Sequence, residues 1–71
     1  MYERVDFRQN GLKPLSTYII SNKQTGELYG TFRIGILGAL KNAEGTTQSK
    51  MIAVRYIAKT NPDVLSYREV D

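Results

Sequence analysis

Seventy-one residues contain neither a cysteine nor a histidine. That double absence constrains the fold more than any motif in the chain. A polypeptide this short buries only about 60% of its extended surface, and small domains commonly add a disulfide, a metal or a second subunit. Without cysteine no disulfide forms, and without either residue a zinc, copper or haem site lacks its usual ligands. The expectation is therefore a single small domain over residues 1–71 with no cofactor. A homodimer is the remaining route to extra burial.

The same absences bound the chemistry. The usual nucleophile–base pairs need Cys or His, and no spacing marks a Ser–Lys pair. Glu27 and Glu44 are the only acids between residues 7 and 62, too sparse to mark an acid–base pair. Gly26, Gly30, Gly35, Gly38 and Gly45 fall into no phosphate-loop or dinucleotide pattern. The sequence predicts a binding protein and not an enzyme. Residues 1–10 lack the apolar run of a secretion signal. The longest mostly apolar stretch, residues 32–40, holds Arg33 and two glycines. A cytoplasmic protein with no membrane partner is the expectation, and the lack of cysteine fits a reducing compartment.

Turn residues divide the chain. Asn10-Gly11 and Lys13-Pro14 mark turns, and residues 22–26 (NKQTG) read as a hairpin loop with glycine in the left-handed position. Alternation predicts a strand at residues 1–8, a short strand at 17–21 and a strong one at 28–37. In the last, Leu28, Gly30, Phe32, Ile34 and Ile36 share the buried face, while Tyr29, Thr31 and Arg33 share the exposed one. Residues 38–49 read as a long polar loop, and the stretch 35–43 has room for one helical turn. Residues 50–59 (KMIAVRYIAK) read as a strand apolar on both faces. Asn61-Pro62-Asp63 is a turn or helix start, and residues 64–70 favour a strand over a helix. The sum is a mainly β fold, or α+β with one short helix. Its antiparallel sheet has four or five strands, curled or barrel-like in the manner of OB and SH3-like domains.

Net charge is +3, unevenly spread. Residues 7–62 hold eight basic side chains against two acids, whereas the two ends carry five acids against Arg4 and Arg68. A basic middle is the electrostatic footprint of a polyanion binder. Tyr29 and Arg33 are expected on one exposed strand face, with Arg55 and Tyr56 nearby, Lys50 and Lys59 at the ends of the second strand, and Lys41 beside the long loop. Tyrosine stacks bases and cations neutralise phosphates in single-strand binders.

Residues 17–31 (TYIISNKQTGELYGT) resemble the first hairpin of the GIY-YIG endonuclease family, with Tyr18 and Tyr29 at a similar spacing around an Asn-Lys-x-x-Gly turn. In that family tyrosines, a downstream arginine and a glutamate serve phosphodiester cleavage. The flanking glycines of both tripeptides are replaced here, in Ser16-Thr17-Tyr18 and Tyr29-Gly30-Thr31. The resemblance therefore implies a hairpin and assigns no catalytic residue.

Two functions follow. The first is a nucleic-acid-binding module, single-stranded and of low sequence specificity, working through Tyr29, Arg33, Lys41, Lys50, Arg55 and Lys59. The second is a protein–protein module, such as an inhibitor, adaptor or assembly subunit, that presents a sheet face or edge to its partner.

Overall fold

The computed structural model describes residues 5–70. Its organising element is the hairpin of β1 (Thr17–Asn22) and β2 (Leu28–Ile34). The Asn22 side chain accepts hydrogen bonds from the backbone N–H groups of Gln24 (2.8 Å) and Thr25 (3.1 Å), an Asx turn that reverses the chain. Gly26 completes the loop at φ 77°, the left-handed position expected of it.

The hairpin contains a bulge that reverses part of the predicted strand pattern. Ser21 pairs with Leu28 and Ile20 pairs with Gly30, which leaves Tyr29 as the extra residue. An extra residue moves the side chains before it to the opposite face. Tyr29, expected outside, is 3% exposed in the core, and Leu28, expected inside, is 55% exposed. Beyond the bulge Phe32 and Ile34 point inward and Thr31 and Arg33 outward, as the alternation predicts. The bulge requires glycine at position 30. Its φ is 128°, and a Cβ there would lie 2.5 Å from the Cβ of Thr46. The bulge carbonyls are not left unpaired: the Thr46 hydroxyl donates to the Tyr29 carbonyl (2.7 Å), and the Lys50 ammonium donates to that of Leu28 (3.2 Å).

The strand ends at Ile34 and not at residue 37. Gly35 to Gly38 form a tight turn, the Gly38 N–H donating to the Gly35 carbonyl at 2.9 Å. Ile36, expected in the core, stands at the turn's tip. The predicted long loop then proves to hold a strand, β3 (Leu40–Glu44), which buries only its first residue. Four of its five residues are exposed, so it carries no alternation for sequence reasoning to detect.

The largest correction concerns residues 50–59, which are helical and not extended. Helix α1 (Gln48–Thr60) begins at Thr47, whose hydroxyl accepts from the Lys50 N–H at 3.2 Å. Met51, Val54 and Ala58 are buried, a three-and-four spacing on one helical face. Alternation fits this segment only because its remaining residues are also partly apolar. Ala, Met, Lys and Arg are strong helix formers, and Pro62 stops the helix.

After a 3-10 turn at Pro62–Val64 the chain enters β4 (Leu65–Glu69), the strand favoured for this segment. β4 runs antiparallel to β1, giving the sheet order β3-β2-β1-β4. The result is one antiparallel four-stranded sheet with one helix, an α+β arrangement in which the sheet stays open instead of closing into a barrel.

One face of this sheet is covered. Helix α1 packs there with the N-terminal segment, whose Phe7 and Leu12 join Ile20, Phe32, Ile34 and Val54 in a single core. The strand expected at residues 1–8 falls partly outside the described residues. Its described end is a 3-10 turn, Phe7–Asn10, because the Asp6 carboxylate accepts from the Arg8 N–H (3.0 Å) and turns the chain. Tyr67 packs against this core with its hydroxyl buried and outside hydrogen-bonding geometry with any described group. Burial pushes its ionisation upward, and the approach of Asn10 pulls it partly back.

Candidate nucleic-acid interface

The opposite face of the sheet carries no covering element among the described residues. Pairing register defines its side chains, because directly paired residues share a face. Lys41, Arg33 and Thr17 form one row across β3, β2 and β1. Thr31, Ile19 and Arg68 form the next row across β2, β1 and β4, with Glu44 at its β3 end. Leu28, Ser21 and Ser66 form the third.

Arg33, Lys41 and Arg68 are exposed, while Thr17, Ile19 and Thr31 between them are half-buried. Among the described residues none of these three cations has a hydrogen-bond or ion-pair partner. Two of them, Arg33 and Lys41, sit directly opposite each other on neighbouring strands. Like charges in that relation destabilise a sheet. Lys41 is further positioned by Gly35, since its Cε occupies the space a side chain at 35 would need, 2.9 Å from the ideal Cβ position.

The six predicted site residues are thus divided. Arg33 and Lys41 are brought together on the open face. Tyr29 is removed to the core, where its hydroxyl accepts from the Asn22 amide at 3.2 Å. Lys50, Arg55 and Lys59 ride on α1, on the covered side of the sheet. Two of these three hold strand backbone: Lys50 caps Leu28, and the Arg55 guanidinium donates to the Leu40 carbonyl at 3.2 Å. Sequence reasoning missed Arg68, which it counted with the acidic ends. The alternation of β4, with Tyr67 inward and Arg68 outward, was the signal available. The two tyrosines of the hairpin likeness are both core residues, Tyr18 accepting from the Lys13 N–H at 2.9 Å.

A second exposed feature lies at one end of the sheet. Leu15, Ile36 and Leu37 are 59, 67 and 60% exposed at the tips of two adjacent turns. The turns are tied together by the Leu15 N–H, which donates to the Ile34 carbonyl at 2.7 Å. Leu15 follows Pro14 with φ 70°, a position that normally takes glycine or asparagine.

Among the described residues no cluster of three or more His, Cys, Asp or Glu could hold a metal, and no helix is long and apolar enough to cross a membrane. No protein-family model, curated protein or solved structure matches the chain.

Proposed function

We propose that this chain is a non-catalytic binding module whose open sheet face takes nucleic acid. One observation carries the reading: Arg33 and Lys41 face each other across β2 and β3 without an acid between them. That arrangement costs stability in the free protein and is relieved by an anion. Arg68 on β4 adds a third cation on the far side of the same face, in the row whose β3 end is Glu44. The face offers charge and not base stacking, since the expected tyrosine platform, Tyr29, is in the core. A cytoplasmic setting goes with this reading, on the strength of the absent cysteines.

Fluorescence anisotropy with labelled nucleic acid at about 50 and 200 mM salt tests it. Two to three phosphate contacts on a duplex predict an affinity loss of about 12- to 40-fold between the two conditions. Absence of binding at the lower salt overturns the proposal.

The apolar turn tips favour a second reading, a protein–protein module with a second copy of the chain among its candidate partners. Leu15 holds a backbone conformation that disfavours a branched side chain, and its side chain is exposed outside the core. Under this reading a Leu15→Gly variant gains stability and loses its partner. Light scattering on the wild-type chain, and capture from nuclease-treated lysate by wild type but not by the variant, are the measurements.

A further inference from the structure

We infer that the ligand of the open face is duplex DNA, with the β1–β2 ribbon lying in the major groove. This rests on the nucleic-acid reading above and specifies its substrate. Three observations lead to it.

The first is the absence of aromatic residues from the open face among the described residues. Tyr18, Tyr29 and Phe32 are core residues, Tyr67 lies on the covered side, and Tyr56 is on the helix. Proteins that bind single strands stack bases on exposed rings. This face has none to offer.

The second is what the ribbon does present. β1 contributes Thr17 and Ile19, and β2 contributes Thr31 and Arg33. Base edges in the major groove are read by such groups: arginine to guanine O6 and N7, hydroxyls to several bases, methyl groups to the thymine methyl. Arg33 is the one guanidinium on the ribbon, so it is the residue placed to read guanine.

The third is width. A two-stranded ribbon fits a major groove about 12 Å wide. Strands lie about 4.8 Å apart, so β3 and β4, flanking the ribbon, are separated by about 14 Å. β3 carries Lys41 and β4 carries Arg68, in adjacent rows. Their side chains therefore straddle the groove and reach phosphates of both strands. Duplex RNA is excluded by the same argument, because its major groove is too narrow and deep to admit the ribbon.

The test compares a labelled DNA duplex, the same sequence single-stranded, and the matching RNA duplex, by anisotropy at about 50 mM salt. A fourth probe is the DNA duplex with every guanine replaced by 7-deazaguanine, which removes N7 from the major groove alone. The expected result is tightest binding to the unmodified DNA duplex, with a clear loss on the deaza duplex. Lys41→Ala and Arg68→Ala should each weaken all duplex sequences equally and lower the salt slope by about one. Arg33→Ala should lose about tenfold on guanine-containing duplexes and become insensitive to the deaza substitution. Single-strand binding as tight as duplex binding, or wild-type affinity unchanged by 7-deazaguanine, overturns this inference and leaves the nucleic-acid reading standing. No binding to any of the probes overturns both.

Discussion

The two faces of the sheet are built from the same strands and differ in almost everything else. On the covered face Ile20, Phe32, Ile34 and Leu40 are buried under α1 and the N-terminal segment. On the open face their immediate neighbours Ile19, Thr31, Arg33 and Lys41 meet solvent, and two of them repel each other. The first face carries the stability of a chain that has no disulfide to help it. The second contributes little to stability and its central charge pair works against it. Substitutions on the two faces should therefore separate: those in the core of the first change folding, and those that remove Arg33 or Lys41 from the second change binding while folding improves slightly.

The largest effect belongs to the covered face. Phe32→Ala removes a ring that is fully buried at the centre of β2 and should cost about 3–5 kcal/mol. A domain this small has only a few kcal/mol of net stability, so the variant should be unfolded in water by circular dichroism. Retention of a cooperative urea transition near the wild-type midpoint would show that the core is not where the two faces differ. Next in size is Gly30→Ala. It combines φ 128° with a Cβ placed against that of Thr46, and should cost about 2–3 kcal/mol in urea unfolding. The same change threatens the bulge that keeps Tyr29 inside, so this single substitution disturbs both faces.

The bulge also marks the limit of what the sequence could reveal. The NKQTG turn was legible from Asn22 and Gly26, whose local hydrogen bonds need no partner strand. The alternation of Thr31 to Ile34 was legible for the same reason. Tyr29 was not, because its inward turn depends on a register with β1 that only the pairing of Ile20 with Gly30 defines. Residues 48–60 carried two compatible periods, and the N-cap Thr47 was the feature that could have decided between them. Strand β3 had no pattern to read, with one buried residue in five. The candidate site inherits these limits. Arg33 and Lys41 were named as basic residues, but nothing short of β3 pairing with β2 brings them face to face, and Arg68 joins them only once β4 returns beside β1.

Tyr67 sharpens the comparison from the covered side. Its buried hydroxyl lacks a hydrogen-bond partner among the described residues. Tyr67→Phe should therefore keep the packing and gain about 1 kcal/mol in urea unfolding. The pH dependence follows from the upward push on its ionisation. The folded protein holds the neutral form past the unfolded value of about 10. The stability tied to that neutral form is complete below about pH 10 and falls as pH rises through the folded value. The Tyr67→Phe variant lacks this loss, so its advantage over wild type should widen above about pH 10. A constant difference across that range would place the hydroxyl in water.

The smallest stability effect bears most directly on function. Arg33→Thr removes one member of the facing pair and leaves a residue well suited to a strand. Released from repulsion by Lys41, the variant should gain about 0.2–1 kcal/mol at low ionic strength. Salt screens exposed charges, so the gain should shrink toward zero as ionic strength approaches about 1 M. Binding should move the opposite way, with weaker affinity for nucleic acid on the same variant. These opposed signs are the mark of a residue kept for a ligand at a cost to the fold. If Arg33→Thr proves less stable than wild type at every salt concentration, the guanidinium supports the sheet, and the cationic row loses its claim to be a binding surface.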